Sequence, residues 1–356
     1  MKIPIKKPTP NIEHFTDVIR GKIVPNGPPF AELFLDEGVI KEIGEHFLGM
    51  EWVVPTDKRT RQLYWDFKIK VYHAMGYDYL WAFGAPVFPT TVRTTDANDR
   101  RWAETSEGPI QSFKDFYDYE WPHLTEEMLA DYYYISDKLP EGMGMFVAQG
   151  DGFLEAAMNI IIGYESMCEM LYTEPELIKA VLDKAGEIIY DSCLKMIEVP
   201  KSAGVFIGDD MGFTTSTLFS PDFYRENTLP WHKKLAEKVH EKGQLYMLHS
   251  CGKLDAIMPD LINDVKIDAK HSYQAGAYDV RDYKEKYGKD IAIIGGVDVD
   301  KLCRMDETDL RAYVRDILNV CAPGGRYALG SGNSITDYVP LKNYFAMLDE
   351  GLKFSL

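Results

Sequence analysis

Apolar residues along this chain fall into short, unbroken runs separated by longer stretches of helical spacing. Runs over 77–82, 145–148, 204–207, 245–248, 267–269, 291–294 and 327–329 predict strands. Helices are predicted over 60–75, 153–171, 221–240, 280–286, 308–320 and 340–352, with another starting near Lys253. A further helix carries Leu177, Val181, Ala185, Ile188 and Ile189 at core spacing. Thr173 and Glu176 ahead of it read as a capping box. Strands without in–out alternation are covered on both faces, as in a parallel sheet flanked by helices. This many units predict a (β/α)8 TIM barrel rather than an open doubly wound sheet. No G-x-G-x-x-G follows the first strand. Residues 1–120 are rich in proline and aromatics and weakly periodic. They are expected to form an N-terminal extension packed on the barrel, with 121–356 its main part, in a single structural domain. Turns or connections are expected at 25–29 and 98–102.

Charge narrows the partners. Against 39 basic residues stand 56 acidic ones, a formal net charge of −17 over 356 residues. So acidic a chain is a poor match for nucleic acid or an anionic membrane surface. No run of 18 apolar residues suits a membrane span, and the first residues lack the apolar core of a signal peptide. Five unevenly spaced cysteines do not make a disulfide framework, so a reduced, cytoplasmic protein is expected.

In a barrel the chemistry sits on loops after the strands' C-terminal ends, and here those loops are polar. Asp209 and Asp210 follow the run at 204–207. His249 and Cys251 follow 245–248. Lys270, His271, Tyr273 and Gln274 follow 267–269. Asp298 follows 291–294, and Asn333 follows 327–329. Residues two apart at a strand end share a face, so His249 and Cys251 can meet in one site, and imidazole with thiolate is a zinc ligand set. Alone, an H-x-C pair also suits an ordinary buried cysteine beside a hydrogen-bonded histidine. Asp209 and Asp300 also suit helix capping. Cys168, Cys193, Cys303 and Cys321 read as inert.

The segments 152–157, 208–212 leading to Ser220-Pro221, His249-Ser250-Cys251-Gly252, 295–298 and 323–325 leading to Asn343 resemble the uroporphyrinogen decarboxylase superfamily, and within it the cobalamin-dependent methyltransferase branch. The resemblance spans roughly 145–350 and implies a (β/α)8 barrel. It implies zinc held by His249 and Cys251, and a partner protein that carries a corrinoid. A later cysteine and a glutamate of that branch are here Asn333 and Gln274, so the further ligand stays open among His271, Gln274, Asp298, Asn333 and Asp210. By the same resemblance, zinc acts as a Lewis acid in O-demethylation of a methylated small molecule, such as a methoxylated aromatic. Asp210 and Asp298 would be the catalytic acids, and Asp209, Tyr273, Asn333 and Tyr338 would contact the substrate. The alternatives are a metal-free decarboxylase-like lyase using Asp210 or Asp298 on a carboxylated substrate, and a non-catalytic barrel that binds a corrinoid or metabolite.

Overall fold

The computed structural model describes residues 2–90, 107–273, 276 and 278–356. Its centre is a curled sheet of seven parallel strands, each paired with its neighbours in chain order. They are β1 (Tyr79–Phe83), β2 (Gly144–Ala148), β3 (Ser202–Gly208), β4 (Leu245–His249), β5 (Ala269–His271), β6 (Ala292–Ile294) and β7 (Tyr327–Ala328). Each overlaps one of the apolar runs. The first lies within residues 1–120 and pairs directly with β2.

Alternate strand residues point to opposite sides, which divides the core in two. Tyr79, Trp81, Phe146, Ala148, Phe206, Leu245, Met247, Ala269, Ala292, Ile294 and Ala328 face inward together. Their neighbours face the surrounding helices in a much larger cluster. Phe15 and Ile19, from the helix Ile12–Ile19, complete the inner cluster, with the Phe15 ring 5.2 Å from Tyr79 and 5.9 Å from Phe146.

An eighth strand is not formed among the described residues. Residues 29–35 run beside β7 instead, through parallel bridges from Phe30 to Leu329 and from Leu35 to Ile335. They add Ala31 and Leu33 to the inner cluster. Side chains explain why no ladder continues to β1. The Glu32 carbonyl accepts from the Tyr79 hydroxyl (2.7 Å), and the Leu35 N–H donates to Tyr72 (3.1 Å). Backbone groups that a ladder would pair are thus engaged.

Three local expectations shift. The helix expected over 153–171 is divided into Phe153–Glu155, a π-helical stretch Ala156–Ile161 and Tyr164–Thr173, with Gly163 at φ +92° between the last two. Thr173 is not a cap. It ends that helix, and Pro175 starts the next (Pro175–Met196) after Glu174 at φ −139°, because a residue preceding proline is forced out of the helical region. The strand expected at 267–269 sits two residues later, so Lys270 and His271 belong to β5. The expected connection at 98–102 lies outside the described residues. No helix among the described residues is long and apolar enough to cross a membrane.

Candidate metal centre

Strands β3, β4 and β5 bring the polar residues together. Pairing sets His249 against Gly208 on one side and His271 on the other. Beyond β4 the chain turns through Gly252 at φ +73°. A Cβ there would lie 2.1 Å from the backbone of Gly212, so only glycine lets these two loops touch. The contact carries Cys251 back beside Asp210, whose Oδ1 accepts the Cys251 N–H at 2.7 Å. Oδ1 also lies 3.6 Å from His249 Nε2, and Cys251 Sγ lies 3.5 Å from the same nitrogen. One donor atom from each of Asp210, His249 and Cys251 lies within 4.8 Å of the others, close enough to share an ion. His249 is buried, while Asp210 and Cys251 are partly exposed, so the cluster is open on one side.

The hydrogen bonds fix which imidazole nitrogen is free. His271 Nε2 faces only an acceptor, the Ser331 carbonyl at 3.3 Å, so it carries the proton. His271 Nδ1 is then an acceptor, and His249 Nδ1, 2.8 Å away, must be the donor. That leaves the lone pair of His249 Nε2 directed at Cys251 and Asp210. A metal-binding histidine needs this tautomer, with its other nitrogen hydrogen-bonded behind it.

Burial dominates the electrostatics of the cluster. Burial, helped by Lys270, pushes His249 down to about 3, and burial first and His249 second hold His271 well below the usual histidine value. Burial also raises Asp210, and burial followed by the Asp210 charge raises the Cys251 thiol well above its ordinary value. Anionic ligands gathered out of water are pushed toward protonation, a cost that a divalent cation among them would offset. The residues therefore fit zinc in donor type, proximity and tautomer.

Surrounding groups hold the ligands. Ser272, at φ +86°, donates its hydroxyl to Cys251 Sγ at 3.3 Å, and the Asn333 amide approaches the same sulfur at 3.6 Å. Lys270 is buried and donates to the carbonyls of Ser250, His271 and Ser272 at 3.2, 3.3 and 2.8 Å, tying the β4 and β5 loops together. Burial lowers its ammonium to about 8. On the β3 side, Glu155 Oε2 and His249 Cδ2 both lie 3.9 Å from a Cβ placed on Gly208, so a side chain there would meet both. Burial first, then the nearby Asp210 charge, raises the Glu155 carboxyl well above the usual range. Phe83 stacks on Trp81 at the end of β1 (centroids 3.9 Å apart). Phe34 is nearly parallel to Trp81 with centroids 5.7 Å apart and lies 6.4 Å from Phe83, and Lys68 Nζ lies 5.6 Å from the Phe83 ring.

The remaining expected site residues are placed differently. Asp209 is fully buried. Its carboxylate accepts the N–H groups of Leu154 and Glu155 at 3.0 Å each and faces His232 Nε2 at 2.8 Å. It caps a helix, though of the strand-β2 loop and not its own. Asp298 caps the helix Val299–Arg304 through Lys301 N–H at 3.0 Å and is not among the groups that meet at the centre. His271 stands behind His249, with both nitrogens engaged. Tyr273 is buried, with its hydroxyl on the Lys270 carbonyl, and Tyr338 is 60 % exposed. Gln274 lies outside the described residues. Asp300 is exposed and pairs with Arg304. All five cysteines are free thiols, and burial pushes Cys193 and Cys321 up to about 12.

Sequence reasoning assigned no role to Glu155, Ser272, Lys270 or Glu32. Lys270, read as following the run at 267–269, was the one available signal. An acid in a helix's first turn is too common to mark a site.

A parallel α/β fold with its donor cluster on the strands' C-terminal ends defines a class of protein that concentrates its chemistry on that face. The chain belongs to the uroporphyrinogen decarboxylase (URO-D) family, whose sequence profile matches residues 114–352. It is 27 % identical over 184 residues to a methylated-thiol–coenzyme M methyltransferase of Methanosarcina mazei, a match covering 51 % of this chain and 46 % of that protein. The chain thus spans about half the length of the curated relative it matches. Among solved structures it resembles a methyltransferase from Methanosarcina mazei (TM-score 0.70, 15 % identity, 97 % of this chain and 99 % of that one). It also resembles a structure assigned as the vitamin-B12 independent methionine synthase of Listeria monocytogenes (TM-score 0.54, 13 % identity, 93 % and 97 %). At these identities the structural likenesses describe the fold.

Proposed function

We propose that this chain is a corrinoid-dependent methyltransferase that takes a methyl group from a methylated small molecule, with a methoxylated aromatic as the preferred donor, and passes it to the cobalt of a corrinoid protein. One observation carries this reading: donor atoms of Asp210, His249 and Cys251 gather within 4.8 Å, in an open cluster at the strand ends. Bound zinc would supply Lewis acidity to the oxygen bearing the methyl group, easing departure of the anion left behind.

The chain's own residues do the rest. His249 Nε2 and Cys251 Sγ would hold the ion, and Asp210 would supply the third, harder donor. Where the resemblance led us to expect a second thiolate, a carboxylate and an amide (Asn333) are present. A nitrogen, sulfur and oxygen set is harder than one with two thiolates and favours oxygen at the open position. That argument turns the proposed donor away from the methylated thiol in the curated relative's name. Ser272 and Asn333 steady the sulfur, and Lys270 locks the two loops that carry it. The stacked rings of Phe34, Trp81 and Phe83 offer an aromatic donor a face. The corrinoid partner would dock over the open face of the cluster in a transient complex. The fold that serves this is proposed to be of (β/α)8 type in a single structural domain, with residues 29–35 standing where an eighth strand would lie. Free thiols and an acidic surface suit the cytoplasm.

Metal analysis of the purified, zinc-loaded protein beside its His249→Ala/Cys251→Ala variant tests the reading, together with cob(I)alamin methylation from methoxylated benzoates. About one zinc per chain, lost in the variant along with methyl transfer, is expected. No zinc in the loaded wild type, or full transfer by the double variant, would overturn it.

A further inference from the structure

We propose that Glu32 is a positioning residue for the metal centre, acting on His249 through Ser331 and His271. The proposal rests on the metal-site reading above. Glu32 is 1 % exposed and lies on residues 29–35, beside β7. Both of its oxygens are engaged by one residue: Oε1 accepts the Ser331 N–H and Oε2 shares a hydrogen bond with the Ser331 hydroxyl, each at 2.6 Å. It makes no ion pair among the described residues. A buried carboxyl without a basic partner is costly, so its place here calls for a reason beyond packing.

What it holds is the acceptor that sets the tautomers. The Ser331 carbonyl takes the His271 Nε2–H at 3.3 Å and the Gly296 N–H at 3.1 Å. Gly295, at φ +82°, leaves the space for this. A Cβ there would lie 2.1 Å from the Ser331 oxygen and 3.0 Å from His271 Nε2. With Ser331 held, the proton on His271 stays at Nε2, the proton on His249 stays at Nδ1, and His249 Nε2 keeps its lone pair toward the site. If the carbonyl swung away, His271 would be free to carry its proton at Nδ1. His249 would then accept at Nδ1 and carry its own proton at Nε2, where it blocks a metal. Ser331 also leads directly to Asn333, whose amide faces Cys251. One buried contact thus steadies groups at both the nitrogen and the sulfur ligand.

The test compares Glu32→Leu, which keeps the bulk and loses both hydrogen bonds to Ser331, with Glu32→Gln, which keeps an acceptor for the Ser331 N–H and a donor toward its hydroxyl. Zinc affinity is read by chelator competition, and imidazole tautomers by long-range proton–nitrogen NMR of the metal-free protein. Glu32→Leu should weaken zinc by roughly 10–100-fold, the usual cost of losing a partner behind a metal ligand, and should put proton density on His249 Nε2. Glu32→Gln should stay near wild type on both readouts. A folded Glu32→Leu protein with wild-type zinc affinity and His249 still protonated at Nδ1 overturns the proposal. If that variant does not fold, Ser331→Ala severs the hydroxyl contact alone. An intermediate loss of affinity supports the relay, and wild-type behaviour on both readouts overturns it. Should the wild type bind no zinc, the metal reading fails by itself, and the NMR comparison still decides the relay.

Discussion

Asp209 and Asp210 are adjacent in the chain, and each faces a histidine, yet the two pairs do opposite things. Asp209 and His232 are sealed behind the sheet. The carboxylate meets two helix N–H groups and His232 Nε2, and His232 Nδ1 meets the Tyr246 hydroxyl at 2.7 Å. No lone pair on either ring nitrogen is left facing open space. Asp210 and His249 are placed toward the mouth, with a thiol beside them and Nε2 held without a proton. The difference teaches that a histidine–carboxylate pair is structural when every donor and acceptor is matched, and a site when one is deliberately left facing its neighbours.

The sharpest way to break this contrast is Asp210→Ala. Zinc affinity should fall by more than the roughly 10–100-fold expected for an outer partner, and methyl transfer should fall with it, while the metal-free protein keeps its Tm. Isothermal titration with zinc checks this, and wild-type affinity would remove Asp210 from the ligand set. Asp209→Ala should reverse the pattern. It strips a buried network and two helix N–H groups, costing about 3 kcal/mol or more of stability in urea unfolding. The folded fraction should still bind one zinc per chain. Loss of zinc from a stable Asp209→Ala protein would erase the distinction.

A smaller effect concerns pH and bears on the buried carboxyl of Glu32. Burial, partly opposed by the Ser331 hydrogen bonds, pushes Glu32 up to about 8. The folded protein therefore retains a proton that the unfolded chain releases near 4.5, so this group's contribution is most favourable below 4.5 and is lost as pH rises toward 8. Glu32→Gln removes that slope. Its Tm relative to wild type should be higher at pH 8.5 than at pH 5, and an equal offset at both would refute the assignment. The smallest change expected is Tyr246→Phe, which leaves His232 Nδ1 without its partner and costs about 1–2 kcal/mol with zinc binding untouched. A zinc defect there would mean that the two pairs are coupled.

Much of the architecture was readable from local pattern. All seven strands fall on or beside apolar runs, and the H-x-C pair marked two of the three residues whose donor atoms gather at the strand ends. The third was one of five possibilities, because nothing in the spacing of Asp210 and Cys251 says that their loops touch; Gly252 against Gly212 arranges that. The capping box at Thr173 failed because Pro175, two residues further on, controls where the helix starts. His271 was expected on a loop as a possible ligand. It sits in β5 opposite His249, and strand register turned it into the partner that orients the His249 imidazole.

Runs and periods are local, so the residues themselves decided where strands and helices form, and chain proximity kept Cys251 beside His249, just past the end of β4. Which aspartate joins them, which imidazole nitrogen stays free, and why a glutamate some three hundred residues before Ser331 bears on that choice were decided only by tertiary packing. Hydrogen-bond partners across strands and loops depend on register and close approach, and the chain acquires both only when it folds.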